Sequence, residues 1–245
     1  MYVSFLFSYC PVPWNQVSGQ NEKGEMKMKK NVKGACAAGT IFLAVFAAWT
    51  VLVQTIDVRA VGPNGSLVGF ASLNTHFNRL TGVSMALYNI TDWLGLVPLC
   101  VCLSFACLGA VQMFKRKSIF KTDRDIIILG IYYTIVILCY LVFEKVPINF
   151  RPILINGVLE ASYPSSATLL VLCVMPTLDE QVKRRVKNGT VRKITRILTA
   201  AFSLFTVIAR TASGVHWLSD ILGSVFLSAG LFYIYLAVVR RVCAD

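Results

Sequence analysis

The sequence predicts an all-α, polytopic membrane protein built as a six-transmembrane-helix bundle, and three observations carry that reading. The 245 residues are 56% hydrophobic and only 15% charged, where soluble domains run near 25% charged. Six long apolar stretches punctuate the chain, and none alternates with the period of two that a strand requires. Lysine and arginine gather in alternate segments between those stretches, as cytoplasmic loops do. This composition excludes a disordered tail and a small disulfide scaffold.

Residues 1–27 come first and are distinct. Met1 to Trp14 is apolar but too short to span and has no basic leading segment. We read 1–27 as an upstream extension or mobile tail, with Met26 or Met28 as alternative starts, and 28–245 as one membrane domain. The apolar stretches then fall at about 34–55, 94–114, 126–143, 164–178, 191–211 and 220–239. Crossing a core of about 30 Å takes about 20 residues, so the fourth stretch must borrow from its flanks.

The loops set the topology. Lys23, Lys27, Lys29, Lys30 and Lys33 precede the first span. Lys115, Arg116, Lys117, Lys121 and Arg124 lie between the second and third. Lys183, Arg184, Arg185, Lys187, Arg192, Lys193 and Arg196 lie around the fourth-to-fifth connection, and Arg240 and Arg241 follow the sixth. Only Arg59, Arg79, Lys145, Arg151 and Arg210 fall on the other side. The positive-inside rule places both termini in the cytoplasm, and an even number of spans agrees. The net charge of +12 is then a topological excess, with the outer side close to neutral. It is spread over membrane flanks rather than one folded face, so it does not point to nucleic acid.

Residues 57–93 form the longest outer segment. Gly62-Pro63-Asn64-Gly65 is a turn cluster. Phe70, Leu73, Phe77, Leu80, Met85 and Leu87 around it suggest one or two short amphipathic helices lying on the outer surface. None of the eight cysteines falls in an outer loop, so we expect no disulfide framework. Two glycosylation sequons, at Asn64 and Asn89, matter only in a eukaryotic secretory setting; a bacterial plasma membrane is our expectation.

Ionisable residues at span ends are costly and usually functional. Three outer clusters stand out. The first is Lys145-Val-Pro-Ile-Asn-Phe-Arg151-Pro152, where an extended Arg-Pro holds a guanidinium at the membrane edge. The second is Tyr163-Pro164-Ser165-Ser166-Ala167, a helix start whose free N–H groups and hydroxyls suit an anion. The third runs from Arg210 through Ser213-Gly214 and His216 to Asp220. If a helix begins near His216, His216 and Asp220 share one face. Asp220 could then accept the imidazole Nδ1–H and leave Nε2 free as a base or nucleophile. Each cluster alone has a plainer account: an interface anchor, helix capping, or an acidic residue in a first helical turn.

Taken in order on one membrane face, the three clusters resemble the motifs of the type 2 phosphatidic acid phosphatase (lipid phosphatase/haloperoxidase) family. That family's pattern is K-x6-R-P, then P-S-G-H, then S-R-x5-H-x3-D, and "ARTASGVHWLSD" is the strongest match. The resemblance covers roughly residues 30–240. It implies that His216 attacks phosphorus to form a phosphohistidine and that Asp220 orients it. It implies that Arg151 and Arg210 clamp the phosphate oxygens, with Ser165, Ser166 and flexible Lys145 completing the cradle. It implies no metal and no cofactor, and a membrane lipid bearing a phosphate or diphosphate as substrate.

The sequence departs from that pattern in three places. Glu144 occupies the lysine position, and Lys145 is one residue late, a rotation of about 100° on a helix. Ala167 replaces the histidine resembling the general acid, a group that typically contributes about 10²–10⁴ in rate. Ala209 replaces the serine before Arg210. Tyr163, Ser166, Thr168, a water or His76 are the available substitutes for the acid. A diphosphate, which expels a better leaving group, should suffer least from its loss. The competing reading is a catalytically impaired relative that binds anionic lipid or serves as a membrane scaffold. A transporter is less well supported, since no repeated halves or paired broken helices are visible.

Overall fold

The computed structural model describes residues 21–243; residues 1–20 of the proposed N-terminal extension lie outside it, while 21–27 begin the first helix. The chain is an all-α polytopic membrane fold. Helix α1 (Asn21–Thr55) leads into a two-residue antiparallel ribbon, β1 (Arg59–Ala60) with β2 (Leu67–Val68), closed by the Pro63–Gly65 turn. Two short helices follow, α2 (Ala71–Thr81) and α3 (Met85–Leu94), and α3 runs through Gly95 into α4 (Leu96–Arg116). Helices α5 (Arg124–Lys145), α6 (Ser166–Arg185), α7 (Gly189–Ala212) and α8 (Leu218–Val242) complete the bundle. The amphipathic outer helices expected within 57–93 are α2 and α3.

Among the described residues, five helical segments are long and apolar enough to cross a membrane: Lys29–Thr55, the joined Met85–Arg116, and α5, α7 and α8. The sixth expected span, α6, has the length but not the apolarity, because its last turns carry Asp179, Glu180, Lys183, Arg184 and Arg185. It also runs beyond the apolar stretch 164–178 on which the expectation rested. The reason lies in the packing. Leu169, Val171, Cys173, Val174 and Met175 of α6 are buried against Leu129, Tyr132, Tyr133 and Val136 of α5 and against Leu227, Tyr235 and Val239 of α8. A helix surrounded by other helices need not be apolar all round to satisfy lipid. Its polar groups instead find partners within the bundle. Thr177 Oγ1 lies 2.8 Å from Tyr133 Oη, Gln181 donates to Tyr235 Oη at 3.1 Å, and Arg185 pairs with Asp125 at 2.6 Å.

The periphery has the opposite character. Ile194, Ile197, Leu198, Leu204, Phe205 and Ile208 of α7 all face outward and are exposed, which is stable where the solvent is lipid. Helices α1 and α8 run closely side by side. A Cβ on Gly39 would meet Ile234 at 2.8 Å, and one on Gly230 would meet Leu43 at 2.7 Å, the small-residue contact by which membrane helices approach each other.

Candidate active site

The connections after α5 and α7, the starts of α6 and α8, and the helices α2 and α3 meet at one end of the bundle. The basic clusters of the α4–α5 and α6–α7 connections lie at the opposite end. Between α5 and α6 the chain folds back as a hairpin-like loop. Ile155 and Val158 exchange both backbone hydrogen bonds around Asn156-Gly157, whose φ values are 49° and 78°. Asn-Gly is the preferred pair for such a turn, because both central residues need positive φ. The loop sets Arg151 against Glu160: the Arg151 N–H donates to the Glu160 carbonyl at 3.0 Å, and Nε lies 3.0 Å from Glu160 Oε2. Residue type alone marks Glu160 as an ionisable group beside a span; the Asn156-Gly157 turn is the signal that places it opposite Arg151.

The reversal between α7 and α8 turns at Gly214, with φ of 64°. A Cβ there would sit 1.9 Å from the Gly82 carbonyl oxygen, so glycine is required both by the turn and by the α2–α3 connection crossing it. That connection is fastened by Ser84 N–H to the Ser213 carbonyl at 2.9 Å and by Asn78 Nδ2 to the Gly214 carbonyl at 2.9 Å. The turn delivers His216, which is 5% exposed.

His216 is held at both ring nitrogens. Nδ1 lies 3.2 Å from the Ser162 carbonyl oxygen and Nε2 lies 3.2 Å from Arg151 Nη1. A carbonyl only accepts and a guanidinium only donates, so the ring is the neutral tautomer with its proton on Nδ1. Burial, then the charges of Arg151 and Arg210, hold its pKa well below the ordinary imidazole value.

Asp220 does not make the contact expected of it. Its Oδ2 accepts from the Trp217 backbone N–H at 3.0 Å, and its Oδ1 accepts from Asn149 Nδ2 at 3.1 Å. The carboxylate caps the first turn of α8 and so fixes the chain immediately after His216. The orienting acceptor on Nδ1 is a backbone carbonyl that no side-chain pattern could reveal. Asn149, buried, also accepts from the Gly69 N–H at 3.2 Å and ties α8 to the segment 57–93.

The two arginines are buried, Arg151 at 9% and Arg210 at 2% exposure. Arg210 Nη2 pairs with Asp92 Oδ1 at 3.0 Å. Both guanidiniums lie on the ring of Tyr88, Arg210 at 4.9 Å and Arg151 at 5.6 Å from its centroid. Tyr88 and Asp92, one turn apart on α3, are site residues that sequence reasoning missed. Beside them opens a cavity of about 210 Å³ whose wall includes Arg151, His216, Ser162 and Ser166, with Tyr140, Phe143 and Tyr163 on its aromatic side. Glu144 and Glu160 line it too.

The remaining expected residues divide. Ser166 lines the cavity, but Ser165 is fully buried, with Oγ 3.0 Å from Thr168 Oγ1 and its N–H on the Asp220 carbonyl. Its hydroxyl serves the α6 start rather than the cavity. Lys145 is exposed and outside the cavity wall, whereas Glu144 is in it. Arg210 acts on His216 through its charge, shares the Tyr88 ring with Arg151, and is not itself a wall residue. Of the candidate substitutes for the missing acid, Tyr163 Oη is engaged with Thr50 Oγ1 at 2.7 Å, and Thr168 with Ser165. His76 is exposed on α2, and Ser166 remains on the wall.

A family model described as the PAP2 superfamily matches residues 142–242, the interval that holds all three motifs. A solved structure described as the first transmembrane PAP2-type phosphatidylglycerolphosphate phosphatase, from Bacillus subtilis, shares this fold with a TM-score of 0.61. The two are 17% identical, and the match covers 84% of this chain and 97% of that one. No curated protein sequence matches significantly.

Proposed function

We propose that this chain, which carries a PAP2-superfamily domain over residues 142–242, is an integral membrane lipid phosphatase that hydrolyses a lipid phosphate or diphosphate through a phosphohistidine on His216. The site faces the outer leaflet, since the basic clusters at the opposite bundle end mark the cytoplasmic side. The observation that carries the reading is the contact of Arg151 Nη1 with His216 Nε2 on the wall of the cavity.

The mechanism follows from that contact. With its proton on Nδ1 and bound to the Ser162 carbonyl, His216 presents the Nε2 lone pair as nucleophile. In the empty site Arg151 donates to that lone pair. An entering phosphate takes the guanidinium onto its oxygens and uncovers Nε2. Nε2 then attacks phosphorus and the bond to the leaving oxygen breaks. Arg151 and Arg210 stabilise the charge that spreads over the phosphoryl oxygens. Water then attacks phosphorus, the P–N bond breaks and its electron pair returns to Nε2, while the proton the water loses ends on the released leaving oxygen, so that the products are phosphate and the protonated leaving group. Asp220 contributes at one remove, by fixing the backbone that carries the nucleophile. Glu160 and Asp92 neutralise the two guanidiniums while no phosphate is bound.

The test is phosphate release from lipid phosphates and diphosphates in mixed micelles by wild type, His216→Ala and Arg151→Gln. Loss of His216 should reduce the rate by about 10³-fold or more, and acid-labile labelled phosphate should be trapped on wild type alone. Equal rates for wild type and His216→Ala would remove the proposal. The second reading, a non-catalytic binder of anionic lipid, draws on Ala167 and on Glu144 in the cavity wall; it predicts no release by any of the three proteins.

A further inference from the structure

On the phosphatase reading two buried guanidiniums serve one phosphate, and as like charges they repel one another while the site is empty. Their carboxylate partners only partly answer this. Glu160 and Asp92 approach from the surface, with side chains 37% and 63% exposed, and neither touches both arginines by an ion pair. What both cations share is Tyr88. Arg210 lies 4.9 Å and Arg151 5.6 Å from the centroid of its ring. An aromatic face attracts a cation within about 6 Å through its quadrupole, and arginine is the commoner partner.

We propose that Tyr88 is a positioning residue for the phosphate clamp: its ring is the common platform that sets the Arg151 and Arg210 guanidiniums relative to each other before phosphate arrives. The proposal rests on the phosphatase reading for its catalytic consequence but not for its binding consequence. Tyr88 belongs to α3, outside the interval that the family model matches. No motif directs attention to it; the bundle brings it there.

The placement of α3 makes the platform rigid. Ser84, its N-cap, accepts from the Leu87 N–H through its side chain and ties its own N–H to Ser213, three residues beyond Arg210. Asp92, four residues after Tyr88, holds the same Arg210 from the next turn. One helix thus grips Arg210 twice and reaches Arg151 once. A preset pair of cations needs little reorganisation when negative charge develops between them. Without the ring, each arginine is left to its own carboxylate, and phosphate must assemble the clamp against their mutual repulsion.

The experiment compares Tyr88→Phe with Tyr88→Leu, both measured for kcat, KM and competitive inhibition by orthophosphate, with thermal stability recorded for each. Phenylalanine keeps the ring and should stay within about threefold of wild type. Leucine keeps an apolar side chain but loses the quadrupole; it should lower kcat and weaken orthophosphate inhibition, each by about tenfold, at a melting temperature close to that of the phenylalanine variant. Orthophosphate binding, read as thermal stabilisation of each variant, tests the platform without turnover. If wild type shows no His216-dependent hydrolysis, the phosphatase reading fails while this binding arm still decides the platform. Equal phosphate binding by Tyr88→Leu and wild type overturns the proposal. So does a loss as large in Tyr88→Phe as in Tyr88→Leu, because the hydroxyl rather than the ring would then matter.

Discussion

Arg151 Nη1 sits 3.2 Å from His216 Nε2, while Nδ1 of the same ring sits 3.2 Å from the Ser162 carbonyl oxygen. A donor on one nitrogen and an acceptor on the other leave no room for an imidazolium. Burial and the two arginines act in the same direction. The folded site therefore binds a proton only well below pH 6.5, whereas the unfolded chain binds it near 6.5. The contribution of His216 to stability is complete above about pH 6.5 and is lost as pH falls from there toward the lower folded value. If His216 is the nucleophile as proposed, turnover needs the neutral ring, and activity should persist as pH falls through 6.5, with the acid limb lying below it. Arg151→Gln removes a positive neighbour and should move the imidazole titration upward. Histidine ring resonances followed against pH, in wild type and in this variant, check both statements; a wild-type midpoint at or above 6.5 contradicts them.

Asp220→Ala should act on the fold as well as on the rate. The substitution leaves the Trp217 N–H and Asn149 Nδ2 without their acceptor in a fully buried setting. An unsatisfied buried group costs about 1–3 kcal/mol. We expect Asp220→Ala to lower the melting temperature clearly more than His216→Ala does. The reverse order in a thermal melt would mean that Asp220 acts through the ring after all.

Asp92→Asn should strengthen the hold on phosphate. Asp92 reaches from an exposed position to neutralise Arg210, which is 2% exposed. Removing that charge leaves Arg210 to an incoming phosphate. The inhibition constant for orthophosphate should fall several-fold, and more at low ionic strength, because Asp92 is open to screening. An unchanged or higher constant would show that the ion pair does not compete with phosphate.

Glu144→Lys should raise kcat/KM on anionic lipid phosphates, by about tenfold for one reversed charge near the phosphate. The gain should be larger for diphosphates, which carry more charge past the same wall. Lys145→Ala should change little, since Lys145 lies outside the cavity. Steady-state kinetics on matched monophosphate and diphosphate lipids measure both. If Lys145→Ala costs more than Glu144→Lys gains, the register of the first motif is the offset one.

Much of the architecture was legible because lipid imposes it locally. A helix in contact with hydrocarbon must announce itself by composition, as α5 and α7 do, and the basic flanks mark its ends. Helix α6 was legible only in its apolar half. Its polar turns are satisfied by Tyr133, Tyr235 and Asp125, partners that arrive from other helices. Arg151, Ser166 and His216 share one cavity wall, and span order alone is enough to put them at the same end of the bundle, because each stands in a connection or helix start on that end. The pattern of Phe70, Leu73, Phe77, Leu80, Met85 and Leu87 predicts one or two short amphipathic helices before α4, and there are two, α2 and α3.

The sequence by itself determined which residues lie at the cavity end of the membrane bundle, because span order and charge asymmetry are properties of the chain read along its length. Only the tertiary structure decided which atoms meet there. Asp220 turned to the Trp217 N–H instead of the imidazole, Ser165 turned to Thr168, and Glu144 rather than Lys145 entered the wall. Tyr88 and Asp92 reached Arg210 across more than a hundred residues of chain. A hydrogen bond or a cation on a ring is fixed by ångström-scale direction, and residue type and spacing alone do not carry that direction between elements that are distant in sequence.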